Sequence, residues 1–390
     1  MQTYNKATKS TDRGLFLGMM HVAILGSRGI PNQYGGFEQF AQQLAVYLVR
    51  MGHRVTVYNS SLHPYKESEF QGVEIVRCYD PENHLGTAGQ FVYDLLCILH
   101  ARRKSYDVIL QLGYTSSALW YPLHPSGVPV VTNMDGLEWK RSKYRGMVRQ
   151  FLRWSEARAA HRSQALVSDS KGIAHYLGQT YGLDSTFIPY AARPVDPLPT
   201  EKLAQVLGPM GLVPGAYDLL IARMEPDNHI HTLLEAHAHA ADLRPSLPPL
   251  VLVGRPANAY ARRLLDRYPN GPRFRWLGGI YEQDTLEILR QGCRLYFHGH
   301  SVGGTNPSLL EAMASGCRIV AHNNEFNRSV LGDEAVYFDE AIALGAYLAN
   351  DNPWPESWPA KHRQTVAEQY TPEQIMGAYL HLLQQCSNAS

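Results

Sequence analysis

The sequence has few of the features that mark secreted, metal-binding or membrane-spanning proteins. Its five cysteines are odd in number, widely scattered and without CxxC or His/Cys ligand spacing, which predicts a reducing cytoplasm and no structural zinc. No segment approaches the ~20 unbroken apolar residues that a membrane span needs. Residues 1–19 lack an apolar core and a cleavage site, so we expect a disordered extension rather than a signal peptide.

Charge is nearly balanced over the chain but not along it. The 390 residues carry a net charge of +1 and are 45% hydrophobic, which is enough for about two or three packed domains. Residues 1–195 contain 21 Lys/Arg against 14 Asp/Glu, and the remainder contains 15 against 21. The asymmetry predicts two domains with different neighbours. Because the whole chain is near neutral and has no recognition motif, we do not expect nucleic acid as a partner.

Apolar strand-like segments alternate with helical patterns twice along the chain. MHVAILG (20–26) is followed by a glycine loop, a helix from about Phe37 and the strand RVTVYN, which is the βαβ unit of a parallel sheet. The alternation restarts after AARPVDPLPT (191–200). We therefore predict an α/β protein with domains over 20–192 and 193–365. A terminal helix within 366–390 would start at Thr371 as N-cap and Pro372 as its first residue.

The segment GHSVGGTNPSLLEAMASG (299–316) follows the apolar segment CRLYFH and then becomes helical. Asn306 and Pro307 are typical of an N-cap and a first helical residue. Gly303 and Gly304 let an anion approach the backbone closely, and Glu311 is within reach of neighbouring hydroxyls. At such a helix start an anion is bound by free N–H groups, here expected to be those of Ser308, Leu309 and Leu310. The pattern favours a nucleotide site over its alternative, a glycine turn before an ordinary amphipathic helix.

Ligands of open parallel sheets bind at the carboxyl ends of the strands, where further candidates lie. Arg223 follows the strand DLLI and would neutralise a diphosphate leaving group, or else pair with Glu225. Asp135 ends the strand VVTNMD and would orient or deprotonate an acceptor hydroxyl, or else cap the next turn. The segment SDS (168–170) predicts a helix cap rather than a catalytic serine.

The loop GSRGIPNQYGGFE (26–38) is rich in glycine, but Gly26 and Gly29 have GxxG spacing. This spacing disfavours a nicotinamide-binding Rossmann fingerprint. Gly35 and Gly36 precede a helix with Glu38 in its first turn, where a carboxylate suits the helix dipole. The loop is therefore either part of a ligand site or a plain helix start.

Residues 140–162 carry eight Lys/Arg and one Glu, with Met147, Phe151 and Trp154 at helical spacing. The pattern predicts a basic amphipathic helix at an anionic membrane surface; the alternative is a helix with a solvated basic face. The cations assigned to this membrane and acceptor surface are Lys140, Arg141, Lys143, Arg145, Arg149 and Arg153.

These motifs together resemble glycosyltransferase family 4. GSRGIPNQYGGFE, VTNMDGLEWKRSKY and VSDSKGI resemble the bacterial rhamnosyltransferase subgroup, and the second half shares ARMEPDN and GHSVGGTNPSLLEAMASG, so that the resemblance covers roughly residues 20–385. It implies the GT-B fold, with two Rossmann-like α/β/α domains facing a central cleft. The acceptor would bind the first domain and the nucleotide-sugar donor the second, with the terminal helix crossing back to the first.

The resemblance also assigns roles to single residues. Glu311 would hold the nucleotide ribose, Arg223 the diphosphate, and Gly35 and Gly36 would lie beside the donor phosphates. Three positions depart from the family pattern: the first glutamate of Glu-x7-Glu falls on Gly303, a lysine on Asn228 and a histidine on Met134. For the donor, the candidates are Gly35, Gly36, Arg223, Gly303, Gly304, Thr305, Asn306, Ser308, Leu309 and Glu311.

The resemblance implies a retaining glycosyltransferase that moves L-rhamnose from dTDP-L-rhamnose to a lipid-diphosphate-linked saccharide. Such a step belongs to capsule, O-antigen or exopolysaccharide assembly, at the cytoplasmic face of the membrane. Asp135 and Glu38 would position the acceptor or sugar and Arg223 would stabilise the leaving group, with no metal or other cofactor. The alternatives are a hexosyltransferase with a UDP- or GDP-sugar, a nucleotide-sugar epimerase, and a non-catalytic nucleotide-sugar-binding subunit.

Overall fold

A computed structural model describes residues 18–33, 35–141, 144–350 and 352–389. These residues form two α/β domains, each with a mostly parallel sheet and helical crossover connections. Parallel sheets of this kind are covered on both faces, so their strands are nearly continuous apolar runs. Strand VILQL, for instance, is buried at all five positions. The prediction of an α/β protein with two such domains is confirmed.

The first sheet has eight strands in the order β3-β4-β2-β1-β5-β6-β7-β8, all parallel except the β3–β4 pair. Its strands are β1 (His21–Leu25), β2 (Arg54–Ser60), β3 (Glu69–Phe70), β4 (Val73–Cys78), β5 (Val108–Leu112), β6 (Val130–Asn133), β7 (Ala165–Ser168) and β8 (Thr186–Phe187). The helices between them are α1 (Gly36–Arg50), α2 (Glu82–Leu85), α3 (Gly89–Ala101), α4 (Gly146–Arg162) and α5 (Lys171–Tyr181). In the centre of the sheet, Val22 is paired with Val55 on one side and Val108 on the other.

The second sheet has six parallel strands in the order β11-β10-β9-β12-β13-β14. Its strands are β9 (Asp218–Ile221), β10 (Leu250–Val253), β11 (Phe274–Gly278), β12 (Tyr296–His298), β13 (Ile319–His322) and β14 (Val336–Phe338). Helices α6 (Thr200–Leu207), α7 (Ile230–Leu243), α8 (Ala259–Arg267), α9 (Gln283–Gly292), α10 (Pro307–Ala314), α11 (Glu325–Leu331) and α12 (Ala341–Ala349) accompany this sheet. The chain ends with α13 (Ser357–Gln369) and α14 (Pro372–Asn388).

Side-chain caps start several of these helices, because the first N–H groups of a helix have no partner within it. Ser170 caps α5, Asn258 caps α8 and Asn324 caps α11. At α14, Thr371 and Gln374 form a reciprocal capping box with Pro372 at the first helical position. The predicted start of the terminal helix is therefore confirmed.

Helix α14 packs against α1 of the first domain. The ring centroids of Tyr379 and Phe40 lie 4.7 Å apart, and the Asn133 side chain at the end of β6 donates a hydrogen bond to the Tyr379 hydroxyl (2.9 Å). Before this helix, the Ala192 N–H donates to the Tyr370 carbonyl (2.8 Å). The two segments that connect the domains therefore lie side by side.

A helix that spans a membrane has to be long and predominantly apolar. Over the described residues, no helix combines the length and the apolar character that crossing a bilayer requires.

Candidate functional site

The candidate site lies where loops of the two domains touch. A Cβ on Gly136, after β6, would lie 2.8 Å from the Gly303 Cα. A Cβ on Gly304 would lie 1.7 Å from Oδ1 of Asp169, which follows β7. The Thr305 hydroxyl donates to the Asp169 carbonyl (2.5 Å). The contact therefore brings the carboxyl ends of β6 and β7 against residues 303–305 of the second domain, the place where open α/β sheets bind ligands.

Residues 299–306, which follow β12, are called the donor loop below. Ser301 anchors the loop, since its N–H and its hydroxyl both donate to the Asp227 carbonyl (3.1 and 2.9 Å). Beyond Ser301, the structure records no hydrogen-bond acceptor for the backbone N–H groups of residues 302–306 within the described part of the chain. Several consecutive unpaired N–H groups in a glycine-rich turn are suited to binding phosphate oxygens.

The start of α10 differs from the prediction in one respect. Asn306 is the N-cap and Pro307 the first helical residue, as predicted. However, the Asn306 side chain accepts from the Ser308 N–H (2.9 Å), and the Asn306 carbonyl accepts from the N–H groups of Leu309 and Leu310. The prediction that these three N–H groups are free is therefore wrong, because the cap itself occupies them. The unpaired donors lie in the preceding loop instead, and the Leu309 side chain belongs to the core.

Glu311 lies on α10 with its side chain mostly buried. Its carboxylate pairs with Arg290 of α9, whose side chain is only 2% exposed. A fully buried guanidinium holds a carboxylate in one position, since the charge has few other partners. Sequence reasoning missed Arg290; the signal for it was a single cation on the buried side of the pattern DTLEILRQG.

Arg223 follows β9 and is exposed. Within the described residues no ion pair or hydrogen bond of its guanidinium is recorded, so the alternative of pairing with Glu225 is not supported. Its carbonyl accepts from the side-chain amide of Asn228 (2.7 Å), which is itself buried. Asn228 therefore shapes this loop and adds no charge to it.

Gly35 and Gly36 begin α1 next to the donor loop. A Cβ on Gly36 would lie 3.7 Å from Pro307 of α10, which places this glycine beside the start of that helix. Glu38 is buried, and its carboxylate accepts from the Arg28 N–H (2.9 Å). One oxygen of Glu38 therefore stabilises the glycine loop from within, a contact that the sequence pattern did not indicate.

Two carboxyl groups of the first domain lie close together at the cleft. Asp135 adopts a left-handed backbone conformation (φ 41°), and its Oδ1 is 3.4 Å from the Tyr190 hydroxyl. Asp169 is fully buried and its Oδ1 has no hydrogen-bond partner among the described residues. Burial, followed by the nearby Asp135 charge, raises the pKa of Asp169 well above its ordinary value. Sequence reasoning read SDS only as a helix cap, which Ser170 is, and missed Asp169.

Two stacked histidines lie at the end of β12 and in the donor loop. The rings of His298 and His300 stack with centroids 4.5 Å apart. Burial, then the charges of His298, Arg223 and Arg141, lowers the pKa of His300 well below its ordinary value. Burial likewise lowers the pKa of His298 to about 3. These side chains are therefore uncharged at neutral pH, and the motif HGH at a strand end was the overlooked signal for them.

A cavity of about 320 Å³ opens between the donor loop and the segment that follows β6. Its lining is mixed, with apolar groups beside one cation, and consists of Leu137, Lys140, Ser301, Val302, Gly303, Asn324, Glu325 and Phe326. Because both domains contribute, the cavity is complete only when the cleft is closed as described here.

Comparison with known proteins identifies the second domain. Residues 216–344 match the family model of Glycosyl transferases group 1. Residues 216–344 are therefore a glycosyltransferase domain of group 1, and the chain as a whole has the GT-B fold. Residues 19–193 match a family described as a domain of unknown function, DUF1972. No curated protein matches the chain.

Solved structures of this fold align over almost the whole chain. Sucrose-phosphate synthase from Thermosynechococcus elongatus has a TM-score of 0.76 at 18% identity, covering 95% of this chain and 100% of that one. HepE from Anabaena in complex with UDP has a TM-score of 0.70 at 14% identity, covering 94% and 100%. An E. coli trehalose-6-phosphate protein bound with UDP-2-fluoro glucose has a TM-score of 0.69 at 12% identity, covering 94% and 99%. At such low identities these likenesses establish the fold.

The basic segment 140–162 is only partly helical. Helix α4 covers 146–162, but Glu138–Lys140 is a 3₁₀ turn and Arg141 is extended. Arg141 pairs with Glu138 (2.7 Å) and its side chain is 19% exposed. The Arg141 side chain is therefore mostly enclosed beside the cleft, and its assignment to a membrane and acceptor surface stays a prediction. Lys140 lines the cavity, and Lys143 lies outside the described residues.

Helix α4 exposes apolar side chains among its cations. Met147 is 85% and Trp154 43% exposed, while residues such as Leu152 and Ala159 form the buried face. Arg145 is exposed just before the helix. Arg149 and Arg153 lie over the Trp139 ring, 5.3 and 5.1 Å from its centroid. The outer face therefore combines apolar and cationic groups.

Proposed function

We propose that this glycosyltransferase transfers L-rhamnose from dTDP-L-rhamnose to a lipid-diphosphate-linked saccharide with retention of configuration. The observation that carries the proposal is the donor loop, which presents unpaired N–H groups and Gly303 to the cleft beside Arg223 and Glu311. The phosphates, ribose and sugar of a nucleotide sugar would contact these groups in this order. Two of the similar structures contain UDP or a UDP-sugar analogue, which supports a nucleoside diphosphate as the donor's carrier.

Two features favour a deoxythymidine donor carrying a 6-deoxy sugar. One oxygen of the Glu311 carboxylate is bonded to Arg290, so fewer of its acceptor positions remain for ribose hydroxyls. A deoxyribose offers only its 3′-hydroxyl. The cavity beside Gly303 has apolar groups from Leu137, Val302 and Phe326. Such a wall suits a methyl group better than a hydroxymethyl, whose hydroxyl would lose water without gaining a partner.

The proposed mechanism uses positioning and fixed charge. Arg223 and the donor-loop N–H groups stabilise the negative charge that develops on the departing diphosphate. The acceptor hydroxyl attacks from the same face of the sugar as the leaving group, and a donor phosphate oxygen receives its proton. Asp135 orients the acceptor hydroxyl, and Glu38 maintains the glycine loop. We propose no covalent protein intermediate and no metal, since fixed cations supply the required charge.

The acceptor's lipid would lie against α4. Exposed Met147 and Trp154 fit the interfacial region of a bilayer, and the neighbouring arginines fit anionic headgroups. We propose that the protein binds the cytoplasmic membrane surface through this face. The lipid-linked diphosphate then stays at the headgroup level while its sugar enters the cleft.

A second candidate function is hexosyl transfer from a UDP-sugar, which the UDP-containing similar structures favour. Calorimetric titration with dTDP, UDP and GDP, followed by turnover assays with each nucleotide sugar and a lipid-linked acceptor, separates the candidates. Preferential dTDP binding with acceptor-dependent release of dTDP supports the proposal. A preference for UDP changes the sugar and keeps the reaction. Donor turnover without acceptor indicates an epimerase, and binding without any turnover indicates a non-catalytic subunit.

A further inference from the structure

Between β9 and α7, residues 222–229 of the second domain contain one arginine, Arg223, and no lysine. Asn228, five residues further along the same loop, is neutral. Its amide donates to the Arg223 carbonyl, and only 7% of the residue is exposed. A departing nucleoside diphosphate carries more negative charge than one guanidinium neutralises. Further positive charge for the diphosphate would therefore come from the opposite wall of the cleft.

Arg141 lies on that opposite wall, in the first domain. It ends the segment 135–141, which follows β6 and touches the donor loop where Gly136 meets Gly303. The Arg141 guanidinium is held by Glu138 at 2.7 Å. Its Nε is buried, and no hydrogen-bond partner for it is found in the described part of the chain. A guanidinium held at one end, with an unused donor in an enclosed site, is prepared to bind an oxyanion.

Both arginines act on the same imidazole. The charges of Arg223 and Arg141, after burial and His298, contribute to the low pKa of His300. His300 belongs to the donor loop, so positive charge from each domain reaches the loop that we assign to the diphosphate. Neutral His300 adds no charge of its own to this part of the cleft.

We propose that Arg141 binds the donor diphosphate across the cleft, as the partner of Arg223. This inference rests on the proposed function, because it takes the nucleoside diphosphate as the ligand of the donor loop. It adds a residue of the first domain to the donor site. Nucleotide binding would then draw the domains together, since a ligand that bridges two bodies favours their closed arrangement.

The test compares Arg141→Gln with Arg149→Gln, which removes an exposed arginine from the same domain. Affinities for dTDP, UDP, GDP and the matching monophosphates are measured by calorimetry, and vesicle binding by sedimentation. We expect Arg141→Gln to weaken binding of the preferred diphosphate about tenfold or more, the scale of a charged hydrogen bond, with a smaller loss for the monophosphate. Arg149→Gln should leave nucleotide affinity unchanged and weaken vesicle binding instead.

The results for the wild-type protein and for Arg141→Gln separate the inference from the proposed function. If wild-type protein binds a diphosphate and Arg141→Gln binds it equally well, the inference is overturned and the proposed function stands. If wild-type protein binds no nucleotide, both are overturned. Should Arg141→Gln fold poorly because its ion pair with Glu138 is lost, Arg141→Lys keeps the charge but loses the planar fork. A severalfold affinity loss in that variant supports the inference, and unchanged affinity contradicts it.

Discussion

Replacing Gly304 with alanine tests whether the contact between the donor loop and the first domain determines the closed arrangement. Gly304 is not among the residues with positive φ, so alanine adds no backbone strain. The added Cβ would lie 1.7 Å from Asp169 Oδ1, whereas real Cβ contacts essentially never fall under 3.0 Å. The loop and Asp169 must therefore separate by roughly 1.3 Å. Asp169 is buried and has little room to retreat.

Overpacking of this kind costs about 1–3 kcal/mol, which shifts a closed–open equilibrium about 5- to 150-fold. We expect small-angle scattering of Gly304→Ala to show a larger radius of gyration in the presence of nucleotide. Transfer should slow by about 100-fold, because a misplacement near 1 Å has that effect. Gly208→Ala is the control, since its Cβ meets nothing within 4 Å and its backbone is helical. Adding Asp169→Ala to Gly304→Ala should restore closure, because it removes the clashing atoms. Unchanged scattering and transfer rates in Gly304→Ala would refute the reasoning.

Three further outcomes are expected. Glu311→Ala should weaken nucleotide binding by about 1–3 kcal/mol, measured by calorimetry, and unchanged affinity in a folded variant would contradict the nucleoside assignment. The raised pKa of Asp169 means that above pH 4 its carboxyl ionises in the unfolded chain but keeps its proton in the folded one, so wild-type stability falls as pH rises. Asp169→Asn should therefore raise the melting temperature by an amount that grows above pH 4. An equal shift at pH 4 and pH 8 would exclude this explanation. A triple Gln variant of Arg145, Arg149 and Arg153 should bind anionic vesicles more weakly by about 1 kcal/mol per arginine, measured by sedimentation. The control is a triple Gln variant of the exposed α8 residues Arg262, Arg263 and Arg267, which should bind vesicles as the wild type does.

Local patterns predicted much of the fold because strands, caps and glycine turns depend on neighbours in the sequence. The apolar runs, the Asn306-Pro307 start of α10 and the Thr371 cap of α14 were all accessible in this way. The same local reasoning failed over the N–H groups of the α10 start, since it did not count the hydrogen bonds that an N-cap itself consumes. The donor loop was located, but its free donors were placed a few residues too late.

Other site residues escaped prediction because their partners are distant in the chain. Thr305 meets the Asp169 carbonyl across 136 positions, so SDS alone could not indicate an interdomain contact. Arg141 was grouped with a run of basic residues, and composition alone does not show which member of such a run turns inward. Glu138 lies three residues before Arg141, a spacing that allows their ion pair. The same spacing is equally compatible with two solvated side chains on a turn.

The hydrogen bond between Ala192 and Tyr370 has a topological consequence. It brings the entry to the second domain and the exit from it to one point. Residues 193–369 are therefore an inserted domain, the guest, and the two stretches of chain on either side of it form the host domain. Insertions whose ends are close are generally tolerated by the host. A host made of residues 20–192 and 370–389, joined by a short linker, would retain its sheet and the α14 contact with α1. The guest would likewise be expressible alone, with the donor loop, Arg223 and Glu311 but without the first domain's side of the donor site.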